Sequence, residues 1–328
     1  MDSSDIYDQV SKHYSAASQI TSVKYGETVA KSFGYSEEEL ANIPEGANLG
    51  LSCGNPLAIT SLREGETVID LGSGAGFDVF LAATRVSPTG QAIGVDMNDD
   101  MLSRANKIKT TRNATNVSFI KGVITDIPLE SGIADCIISN CVINLVPDAE
   151  KALVFKEIYR LLKPGGRLAV SDILAKKPLP EKLKNDISMY VGCIAGASQL
   201  AEYETWLKES GFTDVLISDT NSDLNVYRNT NDDGVVQTGC CPPAVDPVIE
   251  KKAVTSCCRP KEVEPVVEKA ATSCCGPKKA DPVVEKEATS CCGPKKTDST
   301  PAAGTETAAA DTDLNEWVGS YKIYAVKN

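Results

Sequence analysis

The sequence predicts an α/β fold built on a doubly wound parallel sheet, and three observations support that prediction. Between about residues 63 and 226, short β-rich runs alternate with stretches whose apolar residues recur at helical spacing. A glycine-rich turn follows the first β-rich run, and a Lys-Pro-Gly-Gly sequence follows the last helical stretch. Strict alternation of strand and helix implies parallel strands with helices on both faces of the sheet.

Local patterns predict each element of this fold. An alternating aromatic and apolar run at 320–327 predicts a last strand, with 215–218 as its nearest upstream partner. Residues 163–166 should form the turn that ends the third helix. The strands predicted before that pair cover residues 68–71, 91–96, 117–120, 136–139 and 167–171. The predicted helices between them cover residues 77–86, 101–113 and 150–162.

The twelve cysteines follow two patterns. Thiolate is the soft ligand among side chains, so a chain with twelve cysteines and one histidine should handle a soft, thiophilic species. Four cysteines stand singly in the first two thirds of the chain, at Cys53, Cys136, Cys141 and Cys193. The other eight form adjacent pairs that recur every 17 residues, at Cys240-Cys241, Cys257-Cys258, Cys274-Cys275 and Cys291-Cys292.

The paired cysteines belong to an internal repeat that begins near Thr238. Its prolines and charges leave too little apolar surface to offset the entropy of ordering, so we expect a disordered insertion before the last strand. Neighbouring Cα atoms lie about 3.8 Å apart, below the usual disulfide range of about 4.4 to 6.8 Å. Each pair is therefore better suited to binding one soft ion than to forming an internal disulfide.

Charge and composition narrow the partners and the location. The net charge is -12, which should repel phosphate backbones and anionic membranes, so we expect no nucleic-acid and no membrane partner. The chain has no apolar run long enough to span a membrane, and its first ten residues are acidic rather than basic and then apolar. These features predict a cytoplasmic protein whose cysteines are reduced.

The turn after the first strand predicts a cofactor site. Its glycines let the backbone approach a ligand, with a helix N-terminus behind it. A dinucleotide fingerprint would place its third glycine where Phe77 stands, and Asp96 ends the next strand where a carboxylate can bind ribose hydroxyls. The pattern favours S-adenosylmethionine over a nicotinamide cofactor, and a tight turn without a ligand is the other interpretation. The candidate residues of this turn are Asp70, Gly72, Ser73, Gly74 and Gly76.

From about residue 25 to residue 227, the chain resembles the arsenite S-adenosylmethionine methyltransferases. The most specific motifs are Cys53-Gly54-Asn55-Pro56 and Ser139-Asn140-Cys141-Val142-Ile143-Asn144-Leu145. The glycine-rich turn and the Lys-Pro-Gly-Gly sequence are common to many methyltransferases. The other segments are Asn48-Leu49-Gly50-Leu51-Ser52, Gly94-Val95-Asp96-Met97 and Val191-Gly192-Cys193-Ile194-Ala195-Gly196-Ala197.

The resemblance implies a Rossmann-like class I methyltransferase fold with S-adenosylmethionine as its cofactor. It implies that Gly72, Gly74 and Asp96 hold the cofactor. It also implies that Met97 and Ile124 lie near the adenine, and that Asn140 lies near the methionine portion.

The single cysteines are the candidate substrate ligands. Cys141 follows the fourth strand, and loops at the carboxyl ends of parallel strands converge on one ligand crevice. The resemblance implies that Cys53 and Cys193 lie beside it, where three thiolates would bind trivalent arsenic as a pyramid. The arsenic lone pair could then attack the sulfonium methyl group without a general base, by orientation and proximity. Cys136, inside a strand, is interpreted as a small buried hydrophobe.

The chain departs from the family pattern upstream of Cys53. Many members carry a further cysteine there, thought to form a disulfide during turnover, whereas residues 1–52 contain none. Either a cycle of three cysteines operates or another thiol substitutes, and the eight paired cysteines are the candidates. Three roles remain open for the pairs: capture of arsenic or metal, thiol exchange with the active site, or no function.

The sequence therefore predicts a cytoplasmic enzyme that methylates trivalent arsenic, taken up as a thiol complex, for arsenic detoxification. A thiol reductant of the glutathione or thioredoxin type would be a co-substrate. One alternative is methylation of an organic molecule of the quinone or sterol type, and another is a thiol-rich protein that sequesters arsenic or metal. The predicted organisation is a helical N-terminal cover with the first substrate cysteine at 1–60, a cofactor-binding core at 61–229, a disordered Cys-rich insertion at 230–313, and a terminal strand of the sheet at 314–328.

Overall fold

The computed structural model describes residues 2–19, 23–184, 186–229 and 313–328. Contacts place the described residues in one compact unit. The paired cysteines lie in residues 240–306, which are outside the described residues, and the predicted disorder also falls there. Among the described helices, none combines the length and the apolar content that crossing a membrane requires.

The compact unit alternates strands and helices after a helical N-terminal part. The strands are β1 (Thr67–Leu71), β2 (Gln91–Asp96), β3 (Val117–Lys121), β4 (Ala134–Asn140), β5 (Leu162–Ala175), β6 (Asp214–Asp219) and β7 (Val318–Val326). The helices are α1 (Ser3–Ala17), α2 (Val23–Ser32), α3 (Glu37–Asn42), α4 (Phe77–Val86), α5 (Asp99–Arg112), α6 (Lys151–Leu161), α7 (Glu181–Lys184), α8 (Ile187–Val191), α9 (Leu200–Ser210) and α10 (Val226–Asn229). Short 3-10 turns cover Pro56–Ile59, Ile143–Leu145 and Leu314–Glu316.

The strands form one sheet in the order β3-β2-β1-β4-β5-β7-β6. β1 pairs in parallel with β2 on one side and with β4 on the other, so the chain reverses its direction of winding at β1. In open α/β sheets, a reversal of this kind opens a crevice at the carboxyl ends of the strands. The doubly wound architecture predicted from the alternation of elements is confirmed.

The turn between β1 and α4 has the geometry that its glycines predict. Gly72, Gly74 and Gly76 all have positive φ, at 68°, 52° and 91°. A Cβ on Gly72 would lie 2.5 Å from the side chain of Val142, so the backbone here packs too closely for any other residue. The chain then enters α4, whose bounds agree with the predicted helix over 77–86.

The predicted turn at 163–166 is instead part of β5. α6 ends at Leu161, close to the predicted end, but the chain continues directly into the strand. Gly165 has a φ of 77° and its N–H donates to the carbonyl oxygen of Lys327 over 2.7 Å, while the Lys327 N–H donates to Gly166 over 2.9 Å. Pairing with the last residues of the chain therefore extends the strand through the two glycines.

The terminal run forms β7, which lies between β5 and β6. It is antiparallel to both neighbours, with Val326 opposite Arg167 on β5 and opposite Asp214 on β6. The predicted partner at 215–218 is therefore within β6, and β7 is an inner strand. Side-chain bonds join the segments on either side of the repeat, with Asn225 Nδ2 donating to Asp313 over 2.9 Å.

The apolar core covers both faces of the sheet. Ile69 and Phe155 are fully buried on one face, where α6 and α9 pack, and Val68 and Val79 are fully buried on the other with α4. A third cluster fills the space between the carboxyl ends of β4 and β5 and the N-terminal helices. Its buried members include Val10, Val29, Cys53, Cys141, Met189 and Cys193.

Candidate active site

A cavity that is open to solvent lies at the carboxyl ends of β1, β2 and β4. Its walls come from the glycine-rich turn, from the residues after β2 and β4, and from α1. Cys141 forms part of the wall, so the cavity adjoins the cysteine crevice. Eight of the nine predicted cofactor residues line it, namely Asp70, Gly72, Ser73, Gly74, Asp96, Met97, Ile124 and Asn140.

Gly76, the ninth predicted cofactor residue, does not line the cavity. It precedes α4, and a Cβ there would lie 2.7 Å from Phe119 and 2.8 Å from Phe80. Gly76 is therefore required by the packing of the turn against aromatic rings rather than by a ligand.

Among the residues that the structure describes, the cavity is lined by three carboxylates and by no lysine, arginine or histidine. These are Asp70, Asp78 and Asp96, and burial raises the pKa of each. Burial raises the pKa of Asp78 to about 6 despite hydrogen bonds from Asn140 and Tyr35 that oppose the shift. A cationic ligand would favour the ionised form of these groups, whereas a pyrophosphate would be repelled by them.

A hydrogen-bond network connects the cavity to Cys53. Asn140 Nδ2 donates to Asp78 over 3.0 Å, and the Tyr35 hydroxyl donates to the same carboxylate over 2.7 Å. The Asn140 Oδ1 accepts the backbone N–H of Cys53 at 3.3 Å. Asn140 therefore contacts the cofactor side and the cysteine side of the site. Sequence patterns gave no role to Asp78, although it follows the glycine-rich turn in the first turn of α4, and Tyr35 lies outside the motifs.

Asp96 joins the glycine-rich turn to the N-terminal helix. Its carboxylate accepts the N–H of Gly74 and the N–H of Asn98, each at 2.8 Å. The Asn98 side chain in turn donates to the carbonyl oxygen of Ser11 over 2.9 Å and to Ser15 Oγ over 3.0 Å. Because these bonds fix α1 over the cavity, the N-terminal cover contributes directly to the site.

The structure brings three single cysteines together and leaves the fourth apart. Cys53 and Cys141 form a disulfide with an S–S distance of 2.25 Å and a Cα–Cα distance of 5.7 Å. The Cys193 thiol is free and donates to the carbonyl oxygen of Cys141 over 2.8 Å. Cys136 is buried with Val68 on the α4 face, where burial raises the pKa of its thiol to about 12.

The oxidation state differs from the predicted one. The sequence analysis expected thiols at Cys53, Cys141 and Cys193, whereas only Cys193 is a thiol here. The reason is tertiary, since the fold brings the Cα atoms of the other two within the range that a disulfide needs. Cys141 is thus the partner of Cys53 in a chain that lacks the upstream cysteine. The three-thiolate arsenic site requires reduction and stays a prediction, and the paired cysteines lie outside the described residues.

Two of these cysteines have backbones in the left-handed region. Cys141 has a φ of 61° and Cys193 a φ of 64°, which are two of the five positive values at non-glycine positions among the described residues. Such backbones cost roughly 1 to 3 kcal/mol each and concentrate at functional sites. The backbone N–H of Cys141 donates to Ser171 over 2.9 Å, and that of Cys193 donates to Tyr190 over 2.9 Å.

The Cys193 thiol lies in an apolar, enclosed position. The side chain is 2 % exposed, and burial followed by the charge of Asp172 raises the pKa of the thiol. A hydrogen bond from Tyr14 on α1 opposes that shift. A thiol of this kind stays neutral until a thiophilic partner displaces its proton.

Asp172 is a site residue that the sequence analysis missed. One of its carboxylate oxygens lies within 4.8 Å of the sulfurs of Cys53 and Cys141. Burial raises its pKa to about 6, and a hydrogen bond from Tyr203 opposes the shift. The available signal was a lone acidic residue inside the apolar run of β5, which a core strand does not need.

Comparisons with known proteins agree with this geometry. Residues 62–211 match the protein family described as a methyltransferase domain. The chain contains a methyltransferase domain. The chain is similar to an arsenite methyltransferase of Halobacterium salinarum, at 46% identity over 185 residues, which is 56% of this chain and 47% of the relative. The human arsenite methyltransferase is 36% identical over 186 residues, which is 53% of this chain and 48% of the relative.

A solved structure extends the comparison. The crystal structure of an arsenic(III) S-adenosylmethionine methyltransferase from Chlamydomonas reinhardtii is 31% identical, with a TM-score of 0.47, and the match covers 61% of this chain and 68% of that one. The chain spans about half the length of the curated relatives it matches. The predicted class I methyltransferase fold and the resemblance to arsenite methyltransferases are confirmed. The predicted cofactor, S-adenosylmethionine, is the one that methyltransferases of this class use.

Proposed function

We propose that this protein transfers the methyl group of S-adenosylmethionine to trivalent arsenic held by Cys53, Cys141 and Cys193. The observation that carries the proposal is the position of Cys141, which lines the cofactor cavity and also meets both other cysteines. Because a bound arsenic would lie beside a bound cofactor, orientation and proximity could supply much of the rate enhancement. Methylation of arsenic for detoxification is the physiological role this proposal implies.

The cavity residues support the choice of cofactor. S-adenosylmethionine carries a sulfonium and an ammonium group, and the carboxylates of Asp70, Asp78 and Asp96 suit both charges. At Gly74 the space beside the turn is open, because only Met101 Sδ would come within 4 Å of a Cβ there, at 3.9 Å, so a ligand can approach the backbone at this point. The cofactor would supply an electrophilic methyl group, while Asp96 would bind the ribose and Asn140 would lie near the methionine portion.

The three cysteines would bind and orient the arsenic. Thiolates are the ligands that soft ions prefer, and three of them leave trivalent arsenic with a free lone pair. No general base is needed, because that lone pair is itself the nucleophile. The apolar side chains of Val10 and Met189 lie in the same buried cluster as the thiols and would exclude water from the bound arsenic.

The disulfide supports a role for Cys53 and Cys141 in reducing the arsenic back to the trivalent state after methyl transfer. When its lone pair forms a carbon bond, arsenic formally loses two electrons. Two thiolates can return these electrons by joining as a disulfide, and Cys53 and Cys141 are the pair already in bonding contact. An external thiol reductant of the glutathione or thioredoxin type must then give two electrons and two protons to regenerate the thiols. This requirement fits a reducing, cytoplasmic setting.

Arsenite-dependent formation of S-adenosylhomocysteine tests the proposal against its alternatives. With full-length reduced protein, arsenite should start product formation, whereas quinone-type and sterol-type acceptors should not. Methylation of such an acceptor without arsenite would favour the organic-substrate alternative. Arsenite binding with no S-adenosylhomocysteine formed would favour a sequestering protein.

A further inference from the structure

A buried carboxylate shares the crevice of Cys53 and Cys141, and the arsenic chemistry does not use it. The two sulfurs and a carboxylate oxygen of Asp172 all lie within 4.8 Å of one another, and all three residues are buried. We infer that, once the disulfide is reduced, these three residues bind one divalent thiophilic cation such as Zn²⁺. The cation would occupy the place where arsenic is loaded and would compete with it.

The donor set and its spacing fit zinc. Zinc accepts thiolate sulfur at about 2.3 Å and carboxylate oxygen at about 2.0 to 2.2 Å in tetrahedral geometry. Bonds of that length place the ligand atoms roughly 3.5 to 3.8 Å apart. The three ligand atoms here lie within 4.8 Å of one another, and reduction would let the two sulfurs, 2.25 Å apart in the disulfide, separate to that distance. Three protein ligands leave the fourth position to water, as in open zinc sites.

The carboxylate of Asp172 is held in place by hydrogen bonds, but in the described part of the chain it forms no ion pair. Its Oδ1 accepts Asn144 Nδ2 and the N–H of Ile173, each at 2.9 Å, and its Oδ2 accepts the Tyr203 hydroxyl at 2.9 Å. Partners of this kind orient a metal-binding carboxylate, and Oδ2 keeps a lone pair for an ion.

Lys151 is a buried cation whose charge opposes the raised pKa of Asp172, but its ammonium group forms its hydrogen bonds elsewhere. Its ammonium group donates to Asp148, to Ser198 Oγ and to the carbonyl oxygen of Gly196, at 2.6 to 2.9 Å. Among the described residues, no lysine or arginine forms an ion pair with Asp172. A buried carboxylate is costly without a paired charge, and a bound cation would supply that charge.

Arsenic and a divalent cation would share two ligands and differ in the third. Arsenic completes its pyramid with the Cys193 thiol, which is turned toward the carbonyl oxygen of Cys141. The divalent cation would use the oxygen of Asp172, a harder ligand that trivalent arsenic does not need. Binding of the cation would release two thiol protons to solvent, leaving two thiolates and one carboxylate around it.

The test uses the full-length chain with the eight paired cysteines changed to serine, so that the repeat binds no metal. A phosphine reduces the disulfide to two thiols and becomes a phosphine oxide, with oxygen and protons taken from water. Co²⁺ binding is followed by its thiolate-to-metal charge-transfer absorption, and Zn²⁺ affinity by competition with a chromogenic chelator. Arsenite binding is measured separately, by equilibrium dialysis and elemental analysis.

Two substitutions should separate the ions. Asp172→Asn keeps the size of the side chain and one acceptor oxygen for Asn144 and Ile173, while its NH2 group can donate to the Tyr203 hydroxyl. The substitution should weaken Zn²⁺ binding by at least about tenfold with arsenite affinity unchanged. Cys193→Ser should weaken arsenite binding and leave Zn²⁺ affinity unchanged. Cys136→Ala, in the opposite core cluster, is the matched control and should change neither affinity.

The parent protein, which is the full-length chain with the eight paired cysteines changed to serine, should bind one Co²⁺ per chain when its disulfide is reduced and none when it is oxidised. Equal Zn²⁺ affinity of the parent and Asp172→Asn, or no cation bound by the reduced parent, would overturn the inference. A reduced parent that binds Zn²⁺ through Asp172 but never binds arsenite would support the inference and contradict the proposed function.

Discussion

The thiol of Cys193 donates a hydrogen bond of 2.8 Å to the main-chain carbonyl oxygen of Cys141. This contact joins the segment after α8 to the residue that follows β4, although 52 residues separate the two along the chain. It places the third cysteine beside the disulfide of the other two while leaving it free. Cys193 is not among the described residues that line the cofactor cavity, which fits its proposed role as an arsenic ligand.

Asp96→Ala should weaken S-adenosylmethionine binding by about 1.5 to 3 kcal/mol, the range for a hydrogen bond to a charged group. The carboxylate is buried in the cavity wall and orders the glycine-rich turn through Gly74. Asp99→Ala is the matched control, because that side chain is 74% exposed and pairs with Lys121 at the surface. Calorimetry measures both affinities. Unchanged binding by Asp96→Ala would mean that the ribose is held elsewhere.

Cofactor affinity should increase as the pH rises through about 6 and then level off. Burial raises the pKa of Asp78 to about 6, and a cationic ligand binds the ionised carboxylate more tightly than the neutral acid. Ionisation of Asp78 contributes at most about tenfold per pH unit below its pKa. In Asp78→Asn, binding should be weaker and its pH profile flatter. A wild-type affinity that is constant or falls over this range, measured by calorimetry, would contradict the cationic-ligand account.

A truncation that ends at Asn229 should be far less stable than an internal deletion of residues 238–311. The truncation removes β7, which pairs with β5 and β6 and fully buries Val318 and Ile323. Loss of each such side chain costs about 2 to 5 kcal/mol, a large part of a typical net stability of about 5 to 15 kcal/mol. Thermal melting compares the two proteins, and equal melting temperatures would show that β7 is dispensable.

We propose that the paired cysteines capture trivalent arsenic. Replacing all eight with serine should then reduce the arsenic bound per reduced chain by as many as four atoms, one for each pair. Turnover should continue, since Cys53, Cys141 and Cys193 remain. Elemental analysis after dialysis gives the stoichiometry, with Cys136→Ala as the control for loss of an unrelated thiol. An unchanged stoichiometry would leave the pairs without this role.

Local sequence patterns predicted the elements whose bounds depend only on neighbouring residues. The bounds of α4 were predicted because Gly76 has to precede the helix with a positive φ and apolar spacing begins at Phe77. The alternating terminal run predicted a strand but not its direction. That direction depends on pairing with β5 and β6, which lie about a hundred residues or more upstream.

The site was predictable only in part, for the same reason. The end of β4 placed Cys141 at the crevice, and the family resemblance placed Cys53 and Cys193 beside it. The disulfide joins residues 88 apart, and no spacing rule in the sequence specifies which thiols meet. Tyr14 and Asp172 reach the cysteines from α1 and β5 through tertiary packing, so sequence patterns alone do not reveal them.

Turnover of arsenite with methyl-labelled S-adenosylmethionine, followed by speciation of the products, tests the central claim most directly. The reduced full-length protein should produce labelled methylated arsenic, and a thiol reductant should sustain the reaction. Cys193→Ser should lose at least about a hundredfold in rate, since misplacing a bound reactant costs that much, while cofactor affinity stays within a few-fold. Label that never reaches arsenic, or near-normal turnover by Cys193→Ser, would contradict the three-cysteine methyltransferase described here.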